Sequence, residues 1–154
     1  MADSLNKIRK SPVTFKIFCN GSEIPGSYKI VAVSVYKEVN KVASATIQLI
    51  DGGFSDNESY EVSDSGDFNP GAEIEIAAGY ASEEETIFKG IVIKHGLKLN
   101  EGQFMLEVEC KDEAVKSTVG RKNKIFEQKP DSDIISEVMG EYSSLSLDIE
   151  STSY

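Results

Sequence analysis

The sequence predicts a mainly β fold with minor α content. Three observations carry this. Apolar and polar residues alternate in run after run, the period of a strand with one buried face. Turn-forming groups such as Asn20-Gly21, Pro70-Gly71 and Asn100-Glu101-Gly102 separate those runs. Helical spacing of apolar residues is confined to two stretches in the C-terminal part of the chain.

Taken in order, a polar N-terminal arm (residues 1–12) precedes Val13-Thr14-Phe15-Lys16-Ile17-Phe18, where Val13, Phe15 and Ile17 share one face of a predicted strand. Residues 28–39 form a long second run with Val31, Val33, Val35 and Val39 at one parity. After Asn40-Lys41, Ala45, Ile47 and Leu49 alternate with Thr46 and Gln48, so the two runs are expected to pair as an antiparallel hairpin. Residues 51–69 turn to Gly, Ser, Asp and Asn and read as one long loop; loops of that length are commonly functional, which makes this one a candidate contact element.

Next, Ile74, Ile76 and Ala78 point inward from a strand over residues 73–80, Ser82-Glu83-Glu84-Glu85 forms a charged hairpin tip, and residues 86–99 make a long strand. That strand is apolar at both parities through Ile91-Val92-Ile93, as a strand between two packing surfaces would be. Gly90 and Gly96 interrupt it at expected bulges, which curl an antiparallel sheet towards a barrel. Phe104, Leu106, Val108 and Cys110 line the core face of the following strand, opposite Glu107 and Glu109. A helical turn over residues 112–118 leads to a basic loop. Pro130-Asp131-Ser132-Asp133 then caps a helix over residues 133–142, whose Ile134, Ile135, Val138, Met139 and Tyr142 are expected to pack onto the sheet. Leu145, Leu147 and Ile149 alternate as a last strand.

The 154 residues fit one domain, and 40% hydrophobic against 27% charged residues is a composition that folds. With 16 basic and 26 acidic residues the formal charge is −10, which disfavours phosphate backbones, so nucleic acid is not an expected partner. The basic stretches at residues 7–10 and 121–124 are short and read as solvated loop charge. No run approaches the roughly 20 apolar residues of a membrane helix, and the first residues lack a signal peptide's apolar stretch; a cytoplasmic origin without stable membrane insertion is expected.

The inventory of chemistry is sparse. Cys19 and Cys110 sit in strand-like runs and read as small buried hydrophobes; they are too few for a disulfide framework and lack the close neighbours of a zinc site. Asp56, Asp64 and Asp67 offer hard oxygen ligands for calcium, but their spacing does not follow an EF-hand loop. The only histidine, His95, lacks a nucleophile motif around it and reads as a solvent-facing or hydrogen-bonded strand residue. The pairs Glu73/Glu75 and Glu107/Glu109 are carboxylates on outward strand faces, most simply solubilising rather than a glycosidase pair. No phosphate-cradling glycine loop is present. The expectation is a protein without catalytic, cofactor-binding or metal-binding residues, and hence not an enzyme.

Four fragments then fall in a recognisable order. They are Phe68-Asn69-Pro70-Gly71 with the strand to Gly79-Tyr80, then Ile87-Phe88-Lys89-Gly90-Ile91-Val92, then Leu106 to Asp112 with Arg121 and Phe126 downstream, and finally Asp131-Ser132-Asp133-Ile134-Ile135. Together they resemble the N-terminal phage-tail hub domain of Vgr-type (VgrG, Rhs element Vgr) spike proteins, a group related to phage late control protein D. The resemblance implies a strongly curved antiparallel β-barrel of the phage-tail baseplate hub type with one or two flanking helices, filling residues 13–154 as the first part of a longer spike protein. It also implies a structural role in a contractile injection system, type VI secretion-like or phage tail-like. There the full-length protein would be a homotrimer capping the inner tube and meeting tube and baseplate proteins, with possible effector cargo. Such a part is assembled in the cytoplasm and exposed or delivered outside on firing. Two other readings stand beside it: a tail or tube adaptor without a needle, and a fragment of a tail-associated cell-wall hydrolase.

Overall fold

The computed structural model describes residues 12–53, 60–81, 83–100 and 102–153. It divides into two compact units, one ending at Asp112 and one beginning at Glu113. The first unit is a seven-stranded sheet of β1 (Val13–Cys19), β2 (Ser22–Glu23), β3 (Lys29–Tyr36), β4 (Ser44–Gly53), β5 (Glu73–Tyr80), β6 (Glu83–Asn100) and β7 (Gln103–Lys111), in the order β2-β1-β5-β6-β7-β4-β3. Every neighbouring pair is antiparallel, including the expected β3–β4 hairpin, so the mainly antiparallel β fold read from alternation is the fold found. The described strands form an open ladder, with β2 and β3 at its ends, and do not close a hydrogen-bonded barrel. The sheet is nevertheless curled: residues 24–28 join β2 directly to β3, and so short a link holds the two ends within about 20 Å.

The long strand β6 organises the sheet. Its first half pairs with β5 from Glu83 to Ile91, and its second half pairs with β7 from Ile91 to Asn100. This hand-over explains the apolar run at both parities, because the strand changes partner there. The bulges lie three residues away from the glycines, not on them. Ile87 is skipped in the pairing with β5 and Ile93 in the pairing with β7, while Val31 is skipped between β3 and β4. Each bulge flips the parity of the residues after it. Hence Val31 is exposed while Ile30, Val33 and Val35 pack against the core, and Val39, expected inward, lies beyond the strand in solvent. On β5, whose pairing with β1 runs without a shift, Ala77 is buried and Ala78, expected inward, is partly exposed. Val13 and Phe15 keep the parity of Ile17, but the core does not reach them. Glu83, Glu84 and Glu85, expected at the hairpin tip, are strand residues, since Tyr80 pairs with Glu83.

The expected loop over residues 51–69 contains structure. Strand β4 runs on through Gly53, and a helix, α1 (Glu61–Ser65), follows; Asp56 lies outside the described residues. Around them the core of the first unit is built from both halves of the sheet, with Ile17, Ile47, Ile76, Phe88 and Val108 among its buried members.

The second unit holds a 3-10 helix (Glu113–Thr118) and α2 (Asp131–Met139). Pro130 precedes α2 in extended conformation, and Asp131 and Asp133 place negative charge at its first turn. Residues 145–149 are not a strand. Instead the tail is tied to the start of α2 by a reciprocal pair: the Ser132 N–H donates to Thr152 Oγ1 at 3.0 Å, and the Thr152 N–H donates to Ser132 Oγ at 3.3 Å. Ile135 and Val138, expected to pack, are exposed, and Ser132 is the one buried residue among those described in this unit. Ile134, Met139 and Tyr142 are half-buried.

On its other side α2 carries a charge cluster. Lys124 and Lys129 both donate to Glu137, and their ammonium groups hold its carboxyl down at about 2. Because the folded value lies below the ordinary one, this pairing favours the folded arrangement above the usual glutamate range and is lost as pH falls towards about 2. An NMR titration of the Glu137 carboxyl carbon is expected to give that depressed midpoint, and Lys124→Gln with Lys129→Gln to return it to the ordinary range.

Candidate functional site

The polar residues of interest converge on residues 60–72, which overlap the later part of the segment 51–69 singled out as a candidate contact element. Asp51 continues the inward parity of Ala45, Ile47 and Leu49, which would bury an unpaired carboxylate. Its oxygens instead accept the Val62 N–H at 2.9 Å, the Ser63 N–H at 2.8 Å and the Ser63 hydroxyl. A strand residue therefore caps the first turn of α1, where Tyr60 makes no side-chain cap. Gly66 ends the helix at φ 79°, a left-handed position that favours glycine. Asp51→Ala is expected to cost about 2–3 kcal/mol in urea unfolding by orphaning these donors, and Asp51→Asn, which keeps one acceptor oxygen, distinctly less.

Beyond Gly66 the segment is pinned from several elements. The Tyr28 hydroxyl donates to the Asp67 carboxylate at 2.7 Å, and the Cys19 thiol donates to the Asp67 carbonyl. His95 Nδ1 lies 2.8 Å from the Phe68 carbonyl oxygen, an acceptor only, so Nδ1 carries the proton. The Phe68 ring is buried, 6.3 Å from the Tyr28 ring, and Tyr60 meets Phe104 edge-on at 5.4 Å. Finally the Gly71 N–H donates to Val92 O at 2.8 Å, and the Val92 N–H donates to Ala72 O at 2.9 Å, which docks the segment's end on β6.

This arrangement can hold a backbone. His95 is the expected hydrogen-bonded strand histidine, and its bond spans from β6 to the segment. Both cysteines are buried and unpaired; burial pushes the Cys110 thiol up to about 12 and raises that of Cys19, which disfavours the reactive thiolate. Asp67 is occupied by Tyr28, and among the described residues no three His, Cys, Asp or Glu side chains are placed to hold a metal ion. The outward carboxylates form cross-strand pairs: Glu75 with Lys89 at 3.0 Å, Glu107 with Lys98 and Gln48, and Glu109 with Lys94 at 2.9 Å. Lysine draws the carboxyl of Glu107 below its usual range, and Thr86 and then Lys89 do so for Glu75. Exposed pairs of this kind contribute little to stability because solvent screens them. Glu73 makes a different bond, its N–H donating to Asn20 Oδ1 at 3.0 Å. Sequence reading missed Asp51, which it placed in a loop; the inward parity running from Ala45 through Leu49 to Asp51 was the signal. No helix among the described residues is long and apolar enough to cross a membrane.

The fold is a curled antiparallel sheet that carries a pinned segment. It is similar to the 43 kDa tail protein of prophage MuSo2 from Shewanella oneidensis, with a TM-score of 0.60 at 12% identity over 86% of this chain and 38% of that one. It is also similar to the tail protein from Neisseria meningitidis MC58, with a TM-score of 0.53 at 12% identity over 84% of this chain and 34% of that one. The chain belongs to the Alg8 N-terminal domain family, whose profile matches residues 9–154. No curated protein matches it significantly.

Proposed function

We propose that this chain is a non-enzymatic structural subunit of a phage tail-like particle, and specifically the hub domain of a Vgr-type spike that caps the inner tube of a contractile injection system. The observation that carries the reading is the likeness of fold to two tail proteins over most of this chain. The four fragments between Phe68 and Met139 supply the Vgr-type part, and each has a structural duty here. Pro70-Gly71 delivers the chain to β5, Phe88 fills the core, Gly90 sits at the hand-over of β6, and Asp131 and Asp133 start α2. A thrust-bearing part needs a stiff sheet and subunit contacts, and a segment pinned through the side chains of Asp51, Tyr28 and His95 serves stiffness.

In this reading the full-length protein is a homotrimer bound to tube and baseplate proteins, with possible effector cargo, assembled in the cytoplasm and carried on the particle. Because this chain spans only 38% and 34% of the two tail proteins, the activity of any longer protein belongs to the proposal. The test is an epitope tag on the chain in its native host. Sedimented particles are expected to carry the tag at one end of the tube, in three copies per particle by quantitative mass spectrometry. Intact particles without the tag, with the chain left in the soluble fraction, would overturn the reading.

A further inference from the structure

The inward face of the sheet is not covered along its whole length. Where β1, β5 and β6 meet at the β5–β6 turn, strand pairing sets Val13, Tyr80 and Glu83 in one row and Phe15, Ala78 and Glu85 in the next. Both rows share the parity of Ile17 and Ile76, which are buried, yet Val13 is 64% exposed, Tyr80 50% and Phe15 46% among the described residues. An apolar patch of this kind, rimmed by charge, marks a contact surface.

The charges at its rim are one-sided. Glu84, at the opposite parity, is paired with Lys16 at 3.4 Å across the other face of the sheet. Glu83 and Glu85 are exposed and make no ion pair with a described residue, so the patch presents two free carboxylates beside three apolar side chains. A ligand that fits it carries cations next to aliphatic groups.

The chain holds such a ligand at the doorstep of the patch. Residues 1–11 lie outside the described residues, and 5–11 read Leu-Asn-Lys-Ile-Arg-Lys-Ser, with Lys7, Arg9 and Lys10 beside Leu5 and Ile8 and no acid, in a chain of net charge −10. Their covalent attachment is Pro12, next to Val13, where the pairing of β1 with β5 ends. Proline has no N–H with which to extend the ladder, so the chain is free to leave the strand's direction there. From Val13 across Tyr80 to Glu83 is two strand spacings, about 10 Å, and seven residues reach at most about 25 Å. The tether is long enough, and it keeps the segment at high local concentration.

We propose that residues 5–10 of the N-terminal arm fold back at Pro12 onto the uncovered inward face of β1, β5 and β6 in the same chain. Leu5 and Ile8 cover Val13, Phe15 and Tyr80, and the arm's cations meet Glu83 and Glu85. The docked arm completes the face that the core leaves bare. It does not depend on the tail-subunit reading.

Trypsin cleavage after Lys7, the arm's basic site farthest from the sheet, measures the undocked fraction, because a protected site is cut only while it is open. In the full chain this cleavage is expected to run about tenfold slower than in a synthetic peptide of residues 1–12. Glu83→Gln with Glu85→Gln is expected to abolish most of that protection. So is Leu5→Ser with Ile8→Ser, measured against its own peptide; this variant changes nothing in the sheet, so its result does not depend on how the sheet tolerates substitution. Cleavage of the wild-type arm as fast as the peptide would overturn the proposal, as would protection that survives both variants. Protection that rises with protein concentration would assign the patch to the arm of a second copy and overturn docking within one chain.

Discussion

Gly90→Ala is expected to destabilise the first unit by roughly 3 kcal/mol, the upper end of overpacking costs, and to lower the urea midpoint accordingly. A Cβ at this position would stand 2.2 Å from the Lys111 carbonyl oxygen and 2.8 Å from the Phe88 ring. The backbone oxygen has little room to retreat, because Lys111 is paired with Ile91 on one side and Ser44 on the other. Gly96→Ala is the control. It lies in the same strand, yet nothing stands within 4 Å of its added Cβ. That substitution is expected to change stability by no more than about 0.5 kcal/mol. Equal costs at the two positions would show that glycine's flexibility matters here and the close approach does not.

Phe68→Ala is expected to cost about 3–5 kcal/mol, since the ring is fully buried and its removal leaves a cavity under the crossing segment. The loss should also be visible locally. With the ring gone, the Phe68 carbonyl and Asp67 lose the packing that holds them against His95 and Tyr28, so amide exchange of Val62 and Ser63 is expected to accelerate beyond the global change in stability. Phe68→Leu, which refills most of the space, is expected to cost less than half as much. Uniform acceleration across the sheet would mean that the segment unfolds only with the whole unit.

Gly90 and Gly96 also mark the limit of reading strands from pattern. Both were legible as interruptions of a long strand, and both were expected at bulges. The bulges fell on Ile87 and Ile93, because a bulge is a mismatch between two strands and only the partner's register reveals it. For the same reason Val31, which shares the parity of Val33 and Val35, ended exposed. The segment over residues 51–69 was read as one long loop, whereas it holds the end of β4 and the helix α1, and its anchors were not legible. Tyr28, Asp51 and His95 are far apart in the chain, and no local pattern links them.

Alternation, turn residues and composition were enough to establish an antiparallel β unit, its hairpins and the inward faces of β4 and β7, because side-chain period and backbone reversal are local properties of a chain. Gly90's need for an absent side chain and the conversion of Asp51 from loop carboxylate to helix cap depended on which distant groups came within a few ångströms. Those distances are set by register and packing, and they exist only once the sheet has assembled.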